Sequence, residues 1–212
     1  MPRYYENTTV FNFTWDQVAQ AFWRRYPNPN SKHVLSEDTV VRRVDAGKLI
    51  SKRLLSKTNS IPKWAERFFS GSHIYIVEES TVDPKNKVLI TYTRNLGFTK
   101  VMSITEKVIY KASDSHPGQT IAVRSAWIDS QVTGFSKAIC AFGYERFRKN
   151  CAKMAGGFNY VLTNMFPLQN VIATTQHTVT AAHKLKDVAK NASELAKAKA
   201  APIYASLHPN QS

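Results

Sequence analysis

Two rows of cations set the chemistry this chain can offer. Arg146, Asn150 and Lys153 stand at i, i+4 and i+7, a spacing that puts all three on one stripe of a helix. Arg53 and Lys57 stand four apart in a segment of strand character, so both face the same side. Arg24 and Arg25 close the first helical pattern, where a cation complements the helix dipole. Taken alone, such rows are solvated faces. What they offer beyond that is attraction for anions.

Patterns for bond-making chemistry are missing from the sequence. It holds no G-x-S-x-G elbow, no G-x-G-x-x-G run and no P-loop. Glu37-Asp38 and Glu78-Glu79 are neighbours, and neighbours on a strand point to opposite faces, so neither pair makes an acid/base dyad. His177 and His183 are six apart, the wrong spacing for a metal pair on one helix face. Cys140 and Cys151, the two cysteines, are too few for a disulfide framework or a zinc site and read as small apolar fillers. The expectation is a binding protein with no catalytic residues, no metal and no cofactor.

The chain carries 29 Lys+Arg against 15 Asp+Glu in 212 residues, a formal charge of +14. Residues 1–166 hold 24 of the bases and 13 of the acids, so the excess belongs to the folded part. Such a surface suits a polyanion, either nucleic acid or anionic lipid. Nucleic acid loses support because no RNP, zinc-finger or helix-turn-helix signature appears and the bases are dispersed over every kind of segment. No apolar run reaches the roughly 20 residues of a membrane span, and Met1–Tyr4 lacks the pattern of a secretory signal.

The elements that must position these cations follow from pattern. Tyr4–Phe13 reads as a strand. Thr14, with Gln17 three residues on, is a capping box that opens a helix expected to run to Tyr26, before Pro27-Asn28-Pro29. Six strands follow, at 33–44, 49–57, 74–82, 88–95, 101–111 and 121–129. The short turns between them, such as Asp83-Pro84-Lys85-Asn86, favour an antiparallel meander. Ser60–Ser72 interrupts it with an apolar segment too long for a turn, the length at which loops are often lids. Helical spacing of Phe135, Ile139, Phe142, Phe147, Phe158 and Leu162 predicts one long helix from Gly134 to about Phe166. Residues 1–170 make the expected domain, and 171–212 an Ala/Lys-rich tail, partly helical or disordered.

Several stretches, in order, resemble the PRELI/MSF1 family of lipid-transfer proteins. They are Ala21-Phe22-Trp23-Arg24-Arg25-Tyr26-Pro27-Asn28-Pro29, Ser31-Lys32-His33-Val34-Leu35, Arg53-Leu54-Leu55-Ser56-Lys57, Pro62-Lys63-Trp64-Ala65-Glu66-Arg67, Tyr92-Thr93-Arg94-Asn95, and Arg146-Phe147 with Asn150 and Lys153. The resemblance covers about residues 1–166 and is strongest to the phosphatidic-acid branch. The branch suited to phosphatidylserine usually lacks the 31–35 run, and phosphatidylserine transfer by the same fold stands as the alternative, with a non-transferring basic module that binds polyanions or nucleic acid behind it.

The resemblance implies an α+β, START-like helix-grip fold: a curved seven-stranded antiparallel sheet and a long C-terminal helix enclosing a lipid cavity. It implies transfer of phosphatidic acid from the outer to the inner mitochondrial membrane, feeding cardiolipin synthesis, with residence in the intermembrane space. It implies peripheral contact with anionic membranes and a heterodimer with a small twin Cys-x9-Cys helical-hairpin protein. By matching position, Arg25, His33, Arg53, Lys57, Arg146, Asn150 and Lys153 would hold the lipid phosphate, and Ile61, Pro62, Trp64, Phe68 and Phe69 would form a lid. Relatives can carry a further lysine just before this lid, where this chain has Ser60.

The activity makes two physical demands. Two acyl chains hold about thirty methylenes, and leaving a bilayer costs about 0.8 kcal/mol for each. Apolar walls must offset that, and Phe142, Phe147 and Phe158 with the inner face of the sheet are the expected source. A buried phosphate monoester needs fixed cations around it, with arginine favoured for its forked hydrogen bonds.

Overall fold

The computed structural model describes residues 2–58 and 73–167. The chain starts as strand β1 (Arg3–Phe11) and helix α1 (Trp15–Phe22). Thr14 caps α1: its hydroxyl accepts from the Gln17 N–H, and the Gln17 side chain accepts from the Thr14 N–H, the reciprocal pair the sequence predicts. Strands β2 (Val34–Asp45), β3 (Lys48–Thr58), β4 (His73–Asp83), β5 (Val88–Asn95), β6 (Ser103–Ala112) and β7 (Thr120–Asp129) follow, then helix α2 (Ser136–Met165).

All seven strands form one antiparallel sheet in the order β1-β7-β6-β5-β4-β3-β2. Six consecutive strands pair with their chain neighbours, and β1 closes onto β7. The α+β helix-grip architecture is therefore present, with α2 spanning about 45 Å across the sheet's inner face. The sheet and both helices belong to one compact unit, Met1–Pro167. The expected lid residues Ile61, Pro62, Trp64, Phe68 and Phe69, and the tail from 171, lie outside the described residues.

One boundary differs from the expectation. Helix α1 stops at Phe22 rather than Tyr26, with Trp23 as its C-cap and the Arg24 N–H bonded to the Ala21 carbonyl at 2.9 Å. Tyr26 precedes Pro27, and the proline ring disfavours helical backbone in the residue before it. Arg25 therefore lies beyond the helix in the segment that leads to a 3₁₀ turn at Pro29–Ser31, and it owes nothing to the helix dipole.

The core has two parts. Phe11, Phe13, Trp15, Phe22, Leu89, Tyr110, Phe158 and Leu162 pack α1 and the C-terminal half of α2 onto the sheet. Tyr5, Ala126, Ile128, Phe147 and Cys151 pack the N-terminal half. Cys140 and Cys151 are both free and buried, as fillers should be. Gly157 lets α2 approach closely: a Cβ there would sit 2.9 Å from Asn28 Cγ, beside the 3₁₀ turn.

Candidate functional site

Between the sheet and α2 lie two cavities, of about 260 Å³ and about 60 Å³. The wall of the larger includes His33, Lys57, Arg94, Arg146, Asn150 and Lys153. Its apolar lining comes from Ile74, Ile76, Phe98, Met102, Ile104, Phe147 and Met154. The smaller cavity is lined by Arg25, Glu78, Glu106, Arg124, Phe22, Tyr110 and Phe158, among others. Lys57, Ile76, Thr93, Glu106 and Met154 border both, so the two chambers are neighbours.

Each cation arrives by a local cause. The helix period puts Arg146, Asn150 and Lys153 on the face of α2 that turns to the larger cavity. Lys57 sits near the end of β3, opposite Val34. His33 is fixed just before β2, its carbonyl accepting from the Thr58 N–H at 2.9 Å. Five of the seven expected phosphate ligands thus share one chamber: His33, Lys57, Arg146, Asn150 and Lys153.

The other two lie elsewhere. Arg53 lines neither cavity and is 2% exposed. It is enclosed in carboxylates, with Nε 3.0 Å from Glu78 Oε1, Nη1 2.8 Å from Glu37 Oε2, and Nη2 also on Glu78. The rings of Phe22 and Trp23 cover it, their centroids 4.9 and 5.1 Å from its guanidinium carbon. Arg53 was expected among the phosphate ligands; in this structure its donors go to Glu78 and its charge is paired with Glu37, away from both chambers.

Arg25 occupies an intermediate place. Its Nη2 is paired with Glu78, and its guanidinium stacks 4.1 Å above the Phe22 ring. Its Nη1 is buried with no hydrogen-bond partner among the described residues, and Arg25 lines the smaller chamber. An unmet buried N–H is costly, so an anion reaching that chamber would satisfy a donor already in place.

The electrostatics separate the chambers. In the inner one both arginines have a carboxylate: Arg25 has Glu78, and Arg124 Nη1 is 2.6 Å from Glu106. Burial raises the carboxyl of Glu78, but Arg25 and Arg53 outweigh it and hold the group below the usual carboxylate range. In the outer chamber, Lys57 and Lys153 have no carboxylate in ion-pair contact among the described residues, and Glu106 is committed to Arg124. His33 reports the excess charge: burial first, then Lys57, Arg146 and Lys153, pushes its imidazole below the usual histidine value. Burial alone lowers the guanidinium of Arg146. A chamber that disfavours its own cations is prepared for an anion.

Sequence reasoning missed Glu37, Glu78, Glu106 and Arg124 as parts of the site. Their signal was cross-strand pairing, which needs the register. Arg94 belongs to a matched run of the sequence but was not read as a lining residue.

The PRELI-like family matches residues 16–167. A chicken protein, "PRELI domain-containing protein 1, mitochondrial", is 46% identical over 169 residues, covering 78% of this chain and 79% of that protein. The human protein of the same name is 43% identical, covering 78% and 77%. "Protein UPS1, mitochondrial" of Saccharomyces cerevisiae is 36% identical over 175 residues, covering 78% and 96%. In fold, the chain is similar to a crystal structure of a Thermus thermophilus protein, with TM-score 0.52 and 11% identity, covering 77% of this chain and 99% of that one. It is also similar to the Zhui aromatase/cyclase of Streptomyces, with TM-score 0.51 and 11% identity, covering 76% and 94%.

Proposed function

The chain belongs to the PRELI-like family, and from that premise we propose that it is a mitochondrial lipid carrier whose cargo is phosphatidic acid. The observation that carries the reading is the outer chamber: four cations, Lys57, Arg94, Arg146 and Lys153, and a histidine share a wall with the apolar side chains of Ile74, Ile76, Phe98, Met102, Ile104, Phe147 and Met154. A phosphate monoester bears one to two charges and no positive group, so it answers Lys57, Arg146 and Lys153 without bringing a cation of its own. Phosphatidylserine has a phosphodiester of one charge and adds an ammonium, which would sit among like charges, together with a carboxylate; phosphatidylcholine adds a quaternary ammonium alone. The relatives are mitochondrial by name. Placement in the intermembrane space, supply of cardiolipin synthesis and a small twin Cys-x9-Cys partner belong to the same proposal. The reading assigns no reaction to the protein.

The cargo's size matters too. At about 260 Å³ the outer chamber falls just below the roughly 300–1,000 Å³ of drug-sized ligand pockets. It accepts a phosphate and glycerol readily, whereas two acyl chains require the walls to part. Loading is therefore coupled to widening between sheet and helix.

The test is transfer of fluorescent phosphatidic acid between two vesicle populations, beside phosphatidylserine and phosphatidylcholine, with the protein co-purified with a twin Cys-x9-Cys protein. The double variant Lys57→Ala/Lys153→Ala runs alongside, since neither side chain has an ion-pair partner among the described residues and their loss should leave the unfolding midpoint unchanged. Selective transfer of phosphatidic acid that is lost in the double variant supports the reading. Binding to anionic vesicles with no transfer of any lipid would overturn it.

A further inference from the structure

The wall of the outer chamber at one end of the sheet is the connection between β5 and β6, which contributes Gly97, Phe98 and Met102. This connection is stapled rather than slack. The Asn95 side chain donates to the Gly97 carbonyl at 2.7 Å and the Met102 carbonyl at 2.9 Å, and accepts from the Ile104 N–H at 2.9 Å. The Phe98 carbonyl accepts from the Val101 N–H at 3.0 Å and the Met102 N–H at 2.8 Å. Phe98 itself has φ +58, a left-handed conformation that a bulky side chain rarely adopts. The staple holds an aromatic ring on the chamber wall against the preference of its own backbone.

The opposite side of this rim is apolar as well. Leu96 is 51% exposed and Tyr75 is 53% exposed. They are cross-strand neighbours, joined by a 2.9 Å bond from the Leu96 N–H to the Tyr75 carbonyl. Neither lines the chamber, whereas their neighbours Ile76 and Asn95 do. Lys100, four residues after Leu96, is exposed, and so is Arg94, two residues before it, which also borders the chamber. Leucine with tyrosine between cations is the composition of a surface that sits at the headgroup level of an anionic bilayer. Two side chains make too small a patch for a stable protein interface, which takes about 800 Å² on each partner.

We propose that the β5–β6 rim, Leu96 to Val101 with Tyr75 beside it, docks the protein on an anionic bilayer, with Leu96 and Tyr75 entering the interface and Phe98 forming the inner jamb of the doorway for acyl chains. The inference rests on the lipid-carrier reading and deepens it. Continuity decides the occupant: the rim that meets the bilayer is also the wall of the chamber that the lipid enters. Chains crossing there pass from bilayer to Phe98 without crossing water.

The experiment uses the full chain with Leu96→Cys, labelled with nitrobenzoxadiazole, and with Lys85→Cys at the far β4–β5 turn as the control position. Unsubstituted protein taken through the same labelling corrects for Cys140 and Cys151, which are buried. Vesicles are phosphatidylcholine alone or phosphatidylcholine with phosphatidic acid. The Leu96 label should shift to the blue on the anionic vesicles and revert in high salt, while the Lys85 label stays aqueous. The variant Leu96→Ser/Lys100→Glu should lose at least about tenfold in lipid transfer. It should still bind a water-soluble short-chain phosphatidic acid as the parent does, because neither residue lines the chamber. A Leu96 label that stays aqueous while the parent transfers lipid overturns the rim and leaves the carrier standing. Loss of soluble phosphatidic acid binding in the parent itself overturns the carrier reading instead.

Discussion

Replacing Glu78 by Gln should destabilise the fold severely, through charge rather than shape. Glu78 is 4% exposed and lies between Arg25 and Arg53. The amide keeps the volume and removes the negative charge, leaving two buried guanidinium groups with Glu37 as their remaining carboxylate. Removing one partner of a buried ion pair costs about 3–5 kcal/mol, a large part of the roughly 5–15 kcal/mol that holds a domain together. With a urea dependence of about 2 kcal/mol per molar, the midpoint falls by about 2 M. The acid limb changes as well. The folded pKa of Glu78 is depressed, so its contribution is present above the unfolded carboxylate value and is lost as pH falls through the folded one. The variant should lack that part of the acid-induced loss. Urea unfolding at neutral and acid pH measures both effects. A loss below about 1 kcal/mol at neutral pH would refute the reasoning, because it would mean that water reaches the two arginines and the inner chamber is not a low-dielectric site. A companion triple variant, Arg25→Met/Arg53→Met/Glu78→Leu, should recover much of the stability while losing phosphatidic acid binding, which separates the structural use of the network from the use of Arg25 Nη1.

Three further outcomes follow from particular contacts. Gly157→Ala places a Cβ 2.9 Å from Asn28 Cγ, and Asn28 is held by its bonds to the Arg25 carbonyl and the Asn30 N–H. Overpacking there should cost about 1–3 kcal/mol in thermal or urea unfolding, and a loss of only a few tenths would mean the 3₁₀ turn yields freely. Asp83 accepts from the Asn86 backbone N–H at 3.0 Å and its side chain at 2.9 Å, with Lys48 beside it, which lowers its pKa to about 2. Its stabilisation is therefore present above the unfolded value near 4 and lost as pH falls through about 2, so Asp83→Asn should flatten the stability profile in that window. His33 has a lowered pKa in the free protein, so it costs stability as pH falls below the ordinary histidine value; a bound phosphate monoester reverses the local field. Proton NMR should find the imidazole titrating higher when short-chain phosphatidic acid saturates the protein, and an unchanged titration would place the phosphate away from His33.

Much of the fold was legible because its signals are local. The capping box at Thr14 and Gln17, the turn at Asp83–Asn86 and the periodicity of α2 each lie within a few residues, and each is present, although α1 ends four residues early. Strand alternation also served: it places Glu78 inward, against Arg53, and Glu79 outward, where it pairs with Lys52 at 3.1 Å. It likewise puts Arg53 and Lys57 on one face. What alternation cannot supply is depth. Four residues of strand span roughly 13 Å, enough to set Lys57 on the wall of the open chamber and Arg53 beneath Phe22 and Trp23. Glu37 and Glu78, which claim Arg53, come from the flanking strands β2 and β4, and no spacing within one strand reveals them.

That division of the cations explains why one cavity can be both stable and receptive. Every cation on the floor of the grip, Arg25, Arg53 and Arg124, has a carboxylate partner, so the sheet can bury them without a ligand. The outer cations Lys57 and Lys153 lack such partners among the described residues, and their field falls on His33. Placing carboxylates there too would stabilise the free protein and fill the anion seat. Withholding them leaves a standing repulsion that only a bound anion relieves. A ligand that binds the folded state alone stabilises it by mass action, and relief of this repulsion adds to the differential. On the proposed reading the loaded carrier is the more stable form, and the empty one retains a reason to return to an anionic surface. The same proposal would make release the harder half of the cycle, since a phosphate held by Lys57, Arg146 and Lys153 would have to leave all three together. An anionic bilayer surface can draw on those cations as the lipid departs, a step that needs the outer chamber to face the membrane.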